Sequence, residues 1–355
     1  MKSKVLTRMG DGERIRMDVS QLKDEILKGS ADAAEKAEVA PLNESDAAHL
    51  LDIVTEPERI VSVLPGEEVI VTDDGCSMSF YAGQESSGIG LPLSRLQAVL
   101  AYERICGADS TSLGHSDYSY KPVKPIVNFE MNDYYTISTM TTAPFLYGAQ
   151  PNMGLYFQPD GPCPNPSVLF TAGDIPGARQ AQEDAAAQLE DDLIFVGREL
   201  AGVGCEGLNF DTAGSAGDAE FAAALRAVAA LKSAVPDLPI IMGAAGDFVI
   251  GMHGEMAFNG ARIAGMYPHQ QAAVVESAGA DIFGLAVGTD TEQTVVWNIA
   301  RTVTMLKAAR KATTIPIHVN VGMGVGGVPM MEETPVDSVT RVSKALVQIG
   351  KADGL

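Results

Sequence analysis

The sequence predicts an α/β chain of the (β/α)8 TIM-type barrel class, incomplete at its C-terminus and preceded by an irregular N-terminal extension. Three observations predict it. From about residue 92, helices, short apolar strands and polar or Gly-rich loops alternate, the pattern of a parallel sheet with helical crossovers. Helices stop at Gly107-Ala-Asp109 and Gly279-Ala-Asp281, the glycine-ended turn expected before a parallel strand. Six such units, with a seventh strand beginning at Ala352-Asp-Gly-Leu355, favour a barrel over a doubly wound sheet and leave one strand and its helix unaccounted for.

Residues 1–90 form the extension. Met1 to Asp18 is dense in charge, an amphipathic helix is expected over Ser45–Val54 ahead of Pro57, Glu68–Thr72 is strand-like, and Gly83–Gly90 punctuates the end. No Pro- or Ser-rich linker follows, so the extension is expected to pack on a partial barrel spanning 91–355. Strands are expected at Ser110–Leu113, Pro144–Ala149, Gly207–Asp211, Pro239–Gly243, Ile282–Val287 and Ile315–Val321. Helices are expected at Ala178–Val203, Asp218–Val235, Gln270–Gly279, Gln293–Ala312 and Val336–Gly350.

Strand alternation assigns the inward residues. Asn209 and Asp211 face in while Leu208 and Phe210 face the helices; His318 and Asn320 face in among β-branched neighbours. Gly284, Ala286 and Gly288 face in and leave room. The C-terminal mouth is therefore polar and roomy, where barrel enzymes place their sites.

The 355 residues are 46% hydrophobic and 20% charged, enough for a large core. A net charge of −21 disfavours nucleic acid and anionic lipid, and is compatible with a cationic small substrate. Cys76, Cys106, Cys163 and Cys205 lack zinc or disulfide spacing, so reduced thiols in a cytoplasmic protein are expected. No signal peptide or membrane span is read; the most aliphatic stretch, Phe221–Val235, carries Arg226 and Lys232.

Gly322-Met-Gly-Val-Gly-Gly327 satisfies GxGxxG after a strand, but Pro329, Glu332, Glu333 and Pro335 delay the helix, and carboxylates repel a pyrophosphate. Gly322, Gly324, Gly326 and Gly327 read better as bare backbone that something large approaches. His253, Glu255, His269, Gln270 and Gln271 lie on loops without a third metal ligand at sensible spacing, so hydrogen bonding is favoured over metal. Asp211 and Asp247 end or follow strands and are candidates to hold a cationic amine or shuttle its proton; for Asp211, capping the turn before Ser215-Ala-Gly-Asp218 is the alternative. No nucleophile in a recognisable catalytic context and no P-loop is found.

The stretches Leu113–Pro125, Pro151–Tyr156, Pro159–Pro162, Asn209–Thr212, Ala216–Asp218, Gly251–Gly254, Pro268–Gln271, Gly322–Gly327, Pro335–Asp337 and Val339–Arg341 resemble the dimethylamine methyltransferases of methylamine-using microbes. The resemblance implies methyl transfer from dimethylamine to the Co(I) corrinoid of a cognate corrinoid protein, giving monomethylamine, within methylamine metabolism and methanogenesis. On this pattern Asp211, Asp247, His318 and Asn320 are the candidate catalytic groups. Asn209, Gly288, His253, Glu255, His269 and Gln270 would bind substrate, and the glycine loop would admit the corrinoid. The corrinoid stays on the partner, with no cofactor or metal held tightly by this chain, and the full-length form is expected to be a homo-oligomer.

In this family pyrrolysine follows the Asp-Gly pair matched by Asp353-Gly354, and so is expected directly after Leu355. The chain as written is then expected to be inactive, with unpaired sheet edges at Ile315–Val321 and near Ser110. The rival classes are a truncation product with no activity, and another barrel enzyme such as an aldolase or lyase, which a Schiff-base Lys at a strand's C-terminal end would favour.

Overall fold

The computed structural model describes residues 4–74, 109–114, 145–149, 153–205, 207–331 and 334–355. The glycine run Gly83–Gly90, Cys76, Cys106 and most of Leu113–Pro125 lie outside the described residues.

The chain opens on an antiparallel hairpin, β1 (Val5–Arg8) with β2 (Arg14–Met17). Helix α1 (Val19–Ala37) follows, its start fixed where the Asp18 N–H donates to Gln21 Oε1 at 2.8 Å. Leu22, Ile26, Ala33 and Ala37 recur at helical spacing and are buried. They pack along α7 (Val295–Ala312), together with α2 (Glu44–Thr55), whose N-cap Asn43 accepts from the Asp46 N–H. The approach of α1 to α7 is close: a Cβ on Gly29 would lie 2.1 Å from the Trp297 carbonyl oxygen. Covered on both sides, α7 is buried almost all round.

Seven parallel strands form one sheet in the order β11-β10-β7-β6-β5-β4-β3. They are β3 (Ile70–Asp74), β4 (Asp109–Gly114), β5 (Phe145–Ala149), β6 (Gly207–Ala213), β7 (Ile240–Ala244), β10 (Ile282–Leu285) and β11 (Ile317–Val319). A small hairpin, β8 (Ala257–Phe258) with β9 (Ala261–Arg262), interrupts the connection after β7. Helices α3 (Pro166–Thr171) and α4 (Ile175–Gly202) precede β6, and α5 (Asp218–Ala234) precedes β7. Then α6 (Pro268–Ala278) precedes β10, and α8 (Val336–Ala345) runs into a π-turn, Leu346–Gly350.

Leu208, Phe210, Ile240, Met242, Phe283, Leu285, Ile317 and Val319 are buried at 1% exposure or less and form the core between sheet and helices. Each fully buried Phe contributes about 1.5–3 kcal/mol by leaving water. No helix among the described residues is long and apolar enough to cross a membrane.

Two expectations are corrected. The strand-like segment near residue 70, assigned above to the extension, is the first strand of the sheet, paired in parallel from Ile70↔Asp109 to Asp74↔Leu113. The sheet therefore begins before residue 91, and the strand that was unaccounted for is β3. Among the described residues, Ala352–Leu355 consequently comes after seven strands of this sheet rather than six.

The expected unpaired edges are also revised. Gly354 bridges in parallel to both His318 on β11 and Ile70 on β3. The Asp353 and Gly354 N–H groups donate to the Ile317 carbonyl, Val319 N–H donates to Gly354, and Leu355 N–H donates to the Ile70 carbonyl at 3.0 Å. Near Ser110 there is no edge, because β4 lies between β3 and β5. A single chain segment thus pairs with the N-terminal end of β3 and with β11 along its length, which covers there the template an open edge would present.

Candidate functional site

In a parallel sheet every strand delivers its successor loop to the same side. The loops after β6, β7, β10 and β11 therefore share the C-terminal face, and the candidate residues lie on them or on the strand ends beneath.

Asn209 on β6 is 8% exposed and aligned with Gly148 on β5 and Ile241 on β7. Beyond it the register slips: Phe210 pairs with Met242, but Ala213 pairs with Ala244, so β6 carries one extra residue at Asp211–Thr212. This β-bulge breaks the strict alternation that assigned Asp211 inward, and bulges at strand ends re-aim side chains at sites. The N-cap position of α5 is held by Gly217.

His318, Gly284 and Gly243 stand side by side in register, with Gly354 on the other side of His318. His318 is therefore flanked by two glycines, Gly284 and Gly354, with Gly243 one strand beyond. A Cβ on Gly284 would lie 2.6 Å from the Gly243 Cα, so this level of the sheet admits no larger neighbour. Burial pushes the His318 pKa down to about 4 despite its hydrogen bond with the Leu355 backbone, so the ring is uncharged at neutral pH.

Asp247 and Gly288 are brought together by a residue the sequence reading missed. Arg301, in the middle of α7 and 7% exposed, donates from Nη1 to the Gly288 carbonyl at 3.0 Å and from Nη2 to Asp247 Oδ2. The other Asp247 oxygen lies 3.7 Å from where a Gly288 Cβ would stand. An arginine inside the apolar run Ile299-Ala-Arg-Thr-Val303 was the available signal.

Gly288 in turn bridges Val325 of the glycine loop, Thr289 N–H donates to the Gly324 carbonyl at 2.7 Å, and Gly326 N–H donates to the Val287 carbonyl at 2.9 Å. Asn320, exposed, donates its N–H to the Leu285 carbonyl. Asp247, Gly288, Asn320 and the glycine loop are thus contiguous.

Within that loop the glycines differ. Gly326 has φ +79°, and a Cβ on it would lie 2.5 Å from the Asn320 carbonyl oxygen, whereas a Cβ on Gly322 would meet nothing within 4 Å. Gly326→Ala should therefore destabilise by about 1–3 kcal/mol and Gly322→Ala by less than about 0.5 kcal/mol, read by chemical unfolding. Gly322 alone of this pair keeps open space on its outer side.

The remaining candidates are held elsewhere. His253, 4% exposed, places Nδ1 3.0 Å from Asp218 Oδ1 and Nε2 3.2 Å from the Arg179 carbonyl, so its partners come from α5 and α4. Glu255 is exposed, 3.9 Å from Arg179. Gln270 caps α6 by accepting from the Tyr267 N–H. Gln271, 1% exposed, donates to the carbonyls of Met266 and Gly246. His269 is partly buried, which lowers its pKa. Cys163 is buried and Cys205 partly so, and burial raises both thiols. No group of three His, Cys, Asp or Glu side chains among the described residues could hold a metal ion.

Two buried carboxyls at the start of α5 fasten the loops beside the site, and both were read only as part of a helix start. Asp218 accepts from the N–H groups of Met252 and His253 as well as facing the His253 ring. Burial raises its pKa, but these hydrogen bonds outweigh it and the net shift is downward. Glu220, fully buried, accepts at Oε1 from Gly214 N–H and Ser215 Oγ–H, while Oε2 has no partner; here burial prevails and raises the pKa.

The two should act on stability with opposite pH slopes. The Asp218 contribution is present above the unfolded value of about 3.9 and lost as pH falls through its lower folded value. The Glu220 contribution is full below the unfolded value of about 4.3 and lost as pH rises through its higher folded value. Urea unfolding from acid to neutral pH should therefore show Asp218→Asn flattening the acid limb and Glu220→Gln gaining on wild type as pH rises.

A family model described as Dimethylamine methyltransferase (Dimeth_PyL) matches residues 3–355. Among solved structures, the apo homocysteine methyltransferase MmuM from Escherichia coli is 10% identical, with 83% of this chain and 99% of that chain covered and a TM-score of 0.34. Cgl0159 from Corynebacterium glutamicum is 13% identical, with 88% and 89% covered and a TM-score of 0.38. Identities this low carry no residue-by-residue correspondence.

Proposed function

The chain belongs to the dimethylamine methyltransferase family, and from that membership we propose that it moves a methyl group from dimethylamine to the Co(I) corrinoid of a separate protein. The observation that carries the proposal is the family match over residues 3–355. The contiguous group of Asp247, Gly288, Asn320 and the glycine loop on the C-terminal face supports it.

The chemistry balances as follows. Dimethylammonium loses a methyl group to Co(I), whose electron pair forms the Co–C bond. The N–C pair stays on nitrogen, which leaves as neutral monomethylamine. Nitrogen is a poor leaving group unless protonated, so the site must hold an ammonium. Carboxylates at strand ends, Asp211 and Asp247, suit that task, and uncharged His318 does not oppose it with a second positive charge.

Under the same proposal the sheet is a barrel whose eighth strand opens at Ala352–Leu355, with pyrrolysine following Leu355. Its protonated imine would take the lone pair of the free amine, so that the nitrogen becomes the ammonium from which cobalt takes a methyl group held in line. The alternative aldolase or lyase class lacks its Schiff-base residue on every described strand, none of which carries Lys.

The test is methyl-Co(III) formation from reduced corrinoid protein, assayed with mono-, di- and trimethylamine in turn, for the 355-residue chain and for a form extended through an amber codon. Transfer from dimethylamine by the extended form alone is expected. A preference for trimethylamine would sink the substrate assignment, and transfer by the 355-residue chain would sink the pyrrolysine requirement.

A further inference from the structure

We propose that the N-terminal segment sets the position and charge of the site carboxylate Asp247, through a relay Asp32–Arg301–Asp247. This rests on the reading above that the C-terminal face holds the amine.

The Arg301 guanidinium has three partners in three different parts of the chain. Nε donates to Asp32 Oδ2 on α1 at 3.1 Å, Nη1 to the Gly288 carbonyl beyond β10, and Nη2 to Asp247 beyond β7. Its carbon lies 5.9 Å from the Trp297 ring centroid, so stem and head are both fixed. A planar fork with five donors fits this arrangement; an ammonium on a flexible stem does not.

The N-terminal segment grips the same loop at three further points. Met9 bridges Thr294, Gly10 N–H donates to the Gln293 carbonyl at 2.7 Å, and Thr294 Oγ–H donates to Glu25 Oε2 at 2.8 Å. Arg8 pairs with Asp337 at the start of α8. The segment is thus seated on the connections that follow β10 and β11, not merely on the outer helix layer.

Charge gives the relay its direction. Two carboxylates share the Arg301 guanidinium, and Lys36 Nζ lies 2.9 Å from Asp32 Oδ1, so the cluster as a whole is balanced in charge beside the strand ends. Remove the Asp32 charge and Arg301 and Lys36 together outnumber Asp247, leaving less attraction for an ammonium. Arg301 and Asp32 are positioning residues in this scheme; only Asp247 is placed near the amine.

Hydrogen–deuterium exchange on the 355-residue chain tests the relay without turnover. Asp32→Asn and Arg301→Lys should each raise exchange severalfold in peptides covering 245–250 and 286–290. Ser30→Ala, which removes the Ser30–Thr304 hydrogen bond between α1 and α7, should leave 245–250 unchanged. Equal effects of Ser30→Ala and Asp32→Asn on 245–250, or effects confined to α1 and α7, would overturn the relay. The turnover-competent extended form then reads its consequence. Asp32→Asn should raise the dimethylamine KM on the order of tenfold with kcat within about twofold, and the increase should vanish in an Asp247→Asn background. An additive result, or an unchanged KM, overturns the electrostatic part. If wild type transfers no methyl group the functional reading fails, while the exchange data still decide the relay.

Discussion

Removing Ala352–Leu355 should destabilise the protein by about 4 kcal/mol or more, measured by chemical unfolding against the 355-residue chain. Five backbone hydrogen bonds go with this segment: those of Asp353 and Gly354 to Ile317, of Val319 to Gly354, of Leu355 to Ile70, and of Ala352 to Leu346. At about 0.5–1.5 kcal/mol each they supply most of the effect, and the groups left behind on Ile317, Val319 and Leu346 belong to buried residues. Asp353 adds a carboxylate that accepts from Ile317 N–H at 2.8 Å and from Arg310 at 3.0 Å. Leu355 and Ala352, each 6% exposed, add apolar burial. Asp353→Ala alone should cost about 1–3 kcal/mol, which separates its side chain from the seam as a whole. The shortened chain would also expose β3 and β11 as open edges, so light scattering at the unfolding midpoint should rise. An unchanged midpoint would mean the seam holds nothing together.

Most of the sheet was legible because strands such as β7 and β10 are short apolar runs, and α6 ends on Gly279 directly before its strand. The segment near residue 70 showed its strand character, Val-Ile-Val, but it was assigned to the extension because the Gly-rich stretch after it broke the alternation. Helix α1 was missed for a different reason. Its buried face is built from Leu22 and Ile26 and then from Gly29, Ser30, Ala33 and Ala37, so the apolar stripe fades where α7 comes closest. Small residues that permit close helix contact weaken the periodicity that would reveal the helix. The spacing of Asp18 and Gln21 at its start was the stronger cue.

The site was legible in outline only. Position at strand ends singled out Asp247, Gly288 and Asn320 as candidates, a choice that needs no knowledge of side-chain partners. What joins them, Arg301, comes from the outer helix layer, and pairing across a distance of 54 residues leaves no local pattern in a sequence. His253 and Gln270 were read as binding groups because polar residues on a loop look alike whether they face a ligand or fasten the loop. Here Asp218 and the Tyr267 N–H claim them. A bulge cannot be read from alternation either, since it is the failure of alternation.

That bulge is why Asp211→Asn should have the largest catalytic effect, slowing methyl transfer by the extended form roughly 10²-fold. A strand that only needed to pair with β7 would keep its register to the end. Instead β6 takes in one extra residue between Phe210 and Ala213, at the C-terminal end, so that Asp211 and Thr212 together stand where β7 has a single residue. Bulges cost ladder hydrogen bonds and are kept where a side chain must be re-aimed. The substitution preserves size and removes only the charge, so it separates a proton or ammonium role from packing. Asp247→Asn gives the contrast: with Arg301 already on that carboxylate, its loss should raise KM more than it lowers kcat. Chemical unfolding of both variants should accompany the assay, with Asp247→Asn costing about 1.5–3 kcal/mol because the buried Arg301 loses a charged partner, so that rate changes are not read through lost protein. An unchanged kcat in Asp211→Asn would leave the bulge as a feature of the sheet alone and shift the burden of proton handling to Asp247.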